Sequence, residues 1–546
     1  MLRSIFVNLG LSVALACGAA SVAQAKGADK AAKPPPGIGR TTATLAQVLR
    51  QHTSALGGLE HGTPDSRQES WQIDDDGLIG RETLTRHGLD YFAHIERGPF
   101  VEEYGQLEGR RWHRGPNGTV SPVQSVDYES FAMLRVLEDA ADPKNDVKLL
   151  GEVAAPKAAY VIEVRFPGVT QPEWVFYDKS TGFIIRVETT IRGEQFVSTY
   201  DDYVATRGLY EPTHIHDAVP SLGLAMDYVR KALDFGVAFD SQQFQMPTGK
   251  FLPGTHEGHV ALPSALKDGT LIVRVTVGGR GLDFELSLGS PESLIDRDVA
   301  RELKLPSFGQ RTQSGKDALS YETRIADATI GTYALHNFAV RAVEYNYEAY
   351  PGTKVVGLLG FDFLRDTVAK LDFYNGTVQL LSHEELDALP QKAYLLRPQF
   401  DDGMPYLKGT IDGHETDNIL VDNSWISSGV VGSFVRAHPE SVPDPKGRQH
   451  ATSIVPFADV TSRGHAIEIW QTKLPSFYFG TFRFVNQAMF ATNGDLPSDH
   501  DIDAILGYDM LAFYDVYLDY PRDQMFLVPN AWFAKYFKIN PPDSAK

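Results

Sequence analysis

Apolar residues along this chain recur mostly at alternate positions, and departures from that period mark its helices and joints. Tyr160-Val161-Ile162-Glu163-Val164-Arg165-Phe166 alternates, and Phe183-Ile184-Ile185-Arg186-Val187-Glu188 does so more loosely. Alternation places one set of side chains on one face and predicts half-buried strands. Turn signals at Gly115-Pro116-Asn117-Gly118, Ser180-Thr181-Gly182 and Arg192-Gly193 punctuate the stretch from Trp71 to about Asp217, which reads as one antiparallel sheet. Helices are expected at Thr41 to Gly57, Phe131 to Ala141 and Leu222 to Leu233. Residues 26–40 carry three consecutive prolines and read as a flexible tether. Residues 218–258 read as a helix and a loose linker.

From about 259 to 530 the pattern repeats itself. Glu285-Leu286-Ser287-Leu288-Gly289 and Leu420-Val421-Asp422-Asn423-Ser424 each end an apolar run, and each lies nine residues after a turn glycine, Gly278 and Gly413. Ser287 and Asp422 stand 135 residues apart. A second block, Gly357-Leu358-Leu359-Gly360-Phe361-Asp362-Phe363-Leu364, matches Ala504-Ile505-Leu506-Gly507-Tyr508-Asp509-Met510-Leu511 at an offset of 147. Leu371-Asp372-Phe373 and Leu518-Asp519-Tyr520 keep that offset. The second unit therefore carries a net 12-residue insertion, around 437–465. Repetition at this scale predicts duplicated structure, with one unit over 259–390 and another over 391–535.

Composition narrows the class of protein. A hydrophobic content of 42% is ample for packed cores, and the formal charge of −19 argues against a nucleic-acid surface, which needs clustered Lys and Arg. Residues 1–25 read as a secretory signal: Arg3, an apolar run from Ile5 to Ala16, and the small-x-small pattern Ala23-Gln24-Ala25. No later segment is long and apolar enough for a membrane helix. The sole cysteine, Cys17, lies inside this signal, so a periplasmic or secreted protein without disulfides is expected. Lipid anchoring through Cys17 is the less favoured alternative.

An apolar strand ending in a short catalytic loop, followed by a strand, turn and helix with apolar-apolar-Gly, resembles the aspartic peptidases. Phe284 to Ile295 with Val299 to Leu303 is similar to the retropepsin-type loop and its following helix. Leu358 to Leu364 with Leu371-Asp372-Phe373 is similar to its closing half. Ile419 to Val431 and Ile505 to Tyr520 resemble the same pair again. Two lobes in one chain imply a pepsin-like, bilobal, mainly β fold with a cleft between the lobes. The N-terminal half resembles periplasmic lipoprotein-carrier-type domains, through Ala55-Leu56-Gly57-Gly58-Leu59, Gly109-Arg110-Arg111-Trp112, Tyr177 to Gly182 and Ser198 to Tyr203. That likeness implies a half-open antiparallel β-barrel wrapped on a helix, with a concave face able to hold an acyl chain.

Hydrolysis by this family needs two carboxylates about 3 Å apart sharing one proton. Asp422 supplies one. The matching position is Ser287, whose hydroxyl can hydrogen-bond but does not titrate usefully near neutral pH. General acid–base assistance is worth roughly 10²–10⁴-fold per group, and half the dyad is gone. The family's second loop position is a threonine that bonds across to the other lobe. Here Leu288 cannot, and Asn423 offers an amide for a different bond. The third position is Gly289 in one loop and Ser424 in the other. Asp283, Asp296 and Asp298 do not lie at the strand end that faces the opposite lobe. Asp362 and Asp509 are expected as helix caps, and Asp372 and Asp519 as surface turn or strand residues.

Other constellations carry less. His256-Glu257-Gly258-His259 lacks the spacing of a zinc helix. His214 and His216 share one side of a strand with no third ligand to name. Asp74-Asp75-Asp76-Gly77 lacks the key ligands of a calcium loop, and Gly278-Gly279-Arg280-Gly281 is a hairpin turn. Trp425, Trp470 and Tyr478 suit a cleft lining or a core equally. No metal site or cofactor is expected. The reading is an exported pseudo-peptidase that binds an extended peptide or protein segment between its lobes. An active aspartic-type endopeptidase using Asp422 is one alternative. Lipid or lipoprotein binding by the N-terminal β-domain is another.

Overall fold

The structure, a computed structural model, describes residues 34–57, 66–88, 90–123, 145–165, 172–191, 194–220, 224–238, 240–247, 254–255, 259–312, 318–345, 354–365, 367–389, 393–401, 403–442, 449–451, 467–492 and 502–537. The expected secretory signal, Cys17 and the helix Phe131 to Ala141 lie outside them. The fold is mainly β. The first helix forms as Leu45–Ala55, opened by a reciprocal capping box between Thr44 and Gln47. Its buried His52 places Nδ1 2.8 Å from the Gly182 carbonyl. Val48 packs with Ile162, Val175 and Tyr177, so the helix lies against the sheet.

Thirteen strands between Ser66 and Phe235 make one antiparallel sheet. Two meanders meet where Ser66–Asp75 pairs with Leu224–Phe235. Val120–Pro122 forms one edge and Asp146–Val153 the other. The turn at Asp76 (φ 50) and Gly77 (φ 86) joins Ser66–Asp75 to Leu78–His87, as the primed hairpin geometry requires.

Of the segment Leu222 to Leu233, expected to be helical, the described part, from Leu224 on, is strand instead. Leu, Ala, Met and Lys favour helices by less than ~1 kcal/mol per residue. Against that, Leu224, Met226, Tyr228 and Arg230 alternate onto a buried face. Leu224–Phe235 also pairs on both sides, with Ser66–Asp75 and with Leu209–Val219. Two ladders and a buried face outweigh the local preference.

Asp217 is buried in this sheet and accepts a 2.5 Å bond from the Ser198 hydroxyl. Burial pushes its carboxyl up to about 7, with the nearby Asp227 adding to the rise. A raised carboxyl leaves stability intact below the unfolded value and removes it as pH climbs through the folded one. Asp217→Asn is therefore expected to unfold at higher denaturant than the parent at pH 8, by on the order of 4 kcal/mol at about 1.4 kcal/mol per pH unit. The gap should close near pH 4. Equal midpoints at pH 8 would contradict the buried-acid assignment.

Downstream lie a nine-stranded sheet, an eight-stranded sheet and a six-stranded sheet that joins them. In the nine-stranded sheet Arg280–Leu286 runs parallel to Val355–Leu359. In the eight-stranded sheet His414–Val421 runs parallel to Ala504–Leu506. The joining sheet pairs Val368–Asp372 antiparallel with Tyr514–Asp519. One continuous apolar core crosses all three. Asp372 and Asp519, expected at the surface, are buried. The Asp372 carboxylate takes the Asn375 N–H and side-chain amide, and Asp519 caps the turn Tyr520–Arg522 and lies 3.2 Å from His383. Their strands are interior members of the joining sheet, which is why neither reaches solvent.

The first sheet docks on the nine-stranded one. Phe100 meets Phe308 edge-on at 5.4 Å, and the Arg365 Nε donates to the Val120 carbonyl. Asn117, on the turn flagged by its Gly-Pro-Asn-Gly sequence, exchanges two hydrogen bonds with the Ala339 backbone, at 2.9 and 2.7 Å.

Candidate functional site

Each of the two key loops leaves a strand at the same point of the same local ladder. The Ser287 N–H donates to the Leu359 carbonyl at 3.0 Å, and the Asp422 N–H donates to the Leu506 carbonyl at 3.1 Å. Each loop then returns through a short strand, Leu294–Asp296 or Gly429–Val430, that pairs antiparallel with Val355–Leu359 or Ala504–Leu506. A buried serine fixes each return. Ser293 Oγ donates to Asp362 at 2.6 Å and accepts from the Gly360 N–H. Ser428 Oγ donates to Asp509 at 2.6 Å and accepts from the Gly507 N–H. Asp362 and Asp509 are thus not the helix caps expected of them. Gly360 and Gly507 occupy the cap positions, without side-chain caps, and the carboxylates turn back to hold the loops. Asp362 also takes a 2.8 Å bond from Asn117. Burial pushes its carboxyl up to about 6 against those donors.

The two loops meet. Ser287 Oγ donates to Asp422 Oδ1 at 3.2 Å, and both residues are buried. The Ser424 N–H donates to the same Oδ1 at 2.9 Å. Burial pushes the Asp422 carboxyl up, and the opposing influences are donors: the Ser424 N–H and side chain first, then the Ser287 hydroxyl. Leu288 is fully buried in the core that spans both sheets. Asn423 does what a threonine pair would do, with one side chain. Its Oδ1 accepts the Leu288 N–H at 2.9 Å, and its Nδ2 donates to the Leu286 carbonyl at 2.7 Å. Both bonds cross between loops 135 and 137 residues apart in sequence.

Gly289 is required by space. A Cβ there would lie 2.3 Å from Asp422 Cγ and Oδ2, distances that no side chain tolerates. The structure therefore brings together all six residues singled out from sequence: Ser287, Leu288, Gly289, Asp422, Asn423 and Ser424. The arrangement can hold a carboxyl group in a closed hydrogen-bonded cradle. It offers no second acid at position 287 to share a proton.

The remaining candidates fall elsewhere. Asp296 caps the helix Arg297–Glu302, Asp283 pairs with Arg274 and Asp298 with Arg301. His214 and His216 both lean on Asp227 Oδ1, at 3.2 and 2.8 Å. His259 bonds Glu385, while His256, Glu257 and Gly258 lie outside the described residues. Trp425 stacks on Phe490 at 5.3 Å, Trp470 is buried and Tyr478 sits under Arg483. The serine–aspartate braces and Asn117 escaped sequence reasoning. The braces recur as Ser293/Asp362 and Ser428/Asp509, so aligning the blocks serine by serine would have exposed them.

Residues 273–363 match the family model for aspartyl proteases, which makes this an aspartic-protease-like region. The match includes Ser287 and ends before Asp422. Comparison with curated proteins gives no match. Among solved structures, a LolA superfamily protein from Nitrosomonas europaea is 14% identical, with a TM-score of 0.28, over 37% of this chain and 98% of its own. A DUF1329 family protein from Desulfovibrio piger has the same TM-score of 0.28 and 14% identity over the same shares, 37% and 98%. Basic 7S globulin from soybean is 10% identical, with a TM-score of 0.30, over 51% of this chain and 96% of its own. With TM-scores of 0.28 to 0.30 these likenesses assign neither fold nor function. Among the described residues no helix is long and apolar enough to cross a membrane.

Proposed function

We propose that the chain is an exported pseudo-peptidase. In this reading residues 1–25 are a cleaved signal and 26–40 a tether whose end is not free, since Gly39 exchanges two backbone hydrogen bonds with Glu152 and Ile38 packs beside them. Residues 41–217 form an accessory β-domain, whose sheet continues to Phe235. Segments 259–390 and 391–535 are two copies of one ancestral lobe that bind an extended peptide between them. The observation that carries it is Ser287 Oγ at 3.2 Å from Asp422 Oδ1: the place of the second carboxylate is taken by a hydroxyl. The serine cannot accept a proton from water at working pH, so the cradle retains the loop architecture of a peptidase without its acid–base pair. Recurrence of the parallel strand pair and the serine–aspartate brace in each half supports the duplication.

Binding would use exposed strand backbone and pockets for alternate side chains, the usual way an extended peptide joins a β protein. Hydrogen–deuterium exchange with an unstructured polypeptide tests it. Amides of 287–290 and 422–427 are expected to gain protection at saturation. Protection confined to 66–235 would instead move the binding function to the first sheet.

A further inference from the structure

A cluster away from the loop pair has the chemistry of a metal site. His414 opens the strand His414–Val421, which leads directly to Asp422. His438 caps the C-terminus of the helix Gly432–Ala437 that follows the loop, and Glu440 lies two residues on. The ligand-capable atoms of the three all fall within 4.8 Å of one another. His414 Nε2 is 3.8 Å from Glu440 Oε1, and His438 Nδ1 is 3.6 Å from the same oxygen. The imidazoles stack, with centroids 3.6 Å apart and planes inclined by 26°.

These separations are too long for hydrogen bonds. They are close to what an ion between them imposes. Zn–N and Zn–O bonds of about 2.0–2.2 Å at tetrahedral angles put donor atoms about 3.4 Å apart, so the two imidazole–carboxylate spacings need to close by only a few tenths of an ångström, and the stacked rings must turn to aim both nitrogens at one ion. Two imidazole nitrogens with one carboxylate oxygen select zinc, copper or nickel over magnesium or calcium. His414 and His438 are partly exposed and Glu440 mostly exposed, so an ion has a route in, and a tetrahedral one keeps its fourth position for water.

We propose that His414, His438 and Glu440 form a binding site for a divalent transition metal of the zinc class. The ion would tie the start of the strand that carries Asp422 to the helix after the loop. Both ends of the segment bearing Asp422, Asn423 and Ser424 would then be stapled, independently of whether the cleft binds peptide. The site contains no residue of the loop pair.

Titration of the full chain with Zn2+ alone by calorimetry tests this, beside His414→Ala, His438→Ala and Glu440→Gln. One tight equivalent is expected in the parent, weakened about tenfold or more in each histidine variant, with circular dichroism unchanged. Co2+ should give visible ligand-field bands that both histidine variants lose. Zn2+ should raise the melting temperature of the parent and not of His414→Ala. Mg2+ should do none of this. Binding with the same affinity and stoichiometry in both histidine variants would overturn the proposal, as would a parent that takes up no Zn2+ saturably.

Discussion

Asn423→Ala is expected to destabilise the C-terminal half by about 3–5 kcal/mol, read from the urea midpoint of its unfolding transition. The side chain is buried and makes two bonds across the loop pair. Alanine removes both and leaves the Leu288 N–H and the Leu286 carbonyl buried without partners. Each orphaned group costs about 1–3 kcal/mol, and the loss falls where the two loops interlock, beside the Ser287–Asp422 bond. Asn423→Asp is the informative companion. It keeps an acceptor for Leu288 and loses the donor to Leu286, and it adds a carboxyl beside Asp422. Its deficit should therefore grow as pH rises, whereas that of Asn423→Ala should not. A midpoint for Asn423→Ala within about 1 kcal/mol of the parent would mean that the loops are held by something else.

Gly289→Ala should be the other severe change. The backbone at 289 approaches the Asp422 carboxyl so closely that a methyl group would sit 2.3 Å from Cγ and Oδ2 and 2.6 Å from Cβ. Accommodation requires a loop to shift, and with it the Gly289 N–H now 3.2 Å from Ser287 Oγ. Overpacking of this kind costs about 1–3 kcal/mol or more. The cause is local, so it is separable. Asp422→Gly removes the obstructing atoms, and the double variant should be more stable than the two single effects added together, by about 1 kcal/mol or more. Strict additivity would show that the cost of Gly289→Ala arises in the backbone rather than in the encounter with Asp422.

The parts of this site that a linear reading captures are those written in a short window. Leu286 and Val421 end apolar runs after turn glycines, and the spacing alone places Ser287 opposite Asp422. The mismatch of serine and aspartate, on which the proposed function turns, is visible in the letters. The supports are not, because they join residues that only folding makes neighbours. Ser293 and Asp362 are 69 residues apart, Ser428 and Asp509 are 81 apart, and Asn117 reaches Asp362 across 245. Asp372 and Asp519 read as surface residues because nothing local says that their strands will be interior. Leu222 to Leu233 reads as a helix because its composition suits one, and only the strands on either side of Leu224–Phe235 decide otherwise. His414 and His438 lie 24 positions apart in sequence, a separation that matches no compact metal motif.

Those supports bear on chemistry as well as stability. Both loops are braced from behind by the same serine–aspartate contact, and they are joined in front by Asn423. The cradle around Asp422 is therefore fully formed. At the matching position it carries the Ser287 hydroxyl in place of a partner acid. Burial raises the proton affinity of Asp422, but one carboxyl cannot both accept a proton from water and donate one to a scissile carbonyl in the same step.

The decisive measurement is hydrolysis of an unstructured polypeptide by the purified full chain from pH 3 to pH 8, followed by mass spectrometry beside the Asp422→Asn variant. The account predicts that the polypeptide stays intact across the range and that parent and variant give identical spectra. Cleavage by the parent that disappears in Asp422→Asn would contradict it and make the chain an active peptidase working through a single aspartate.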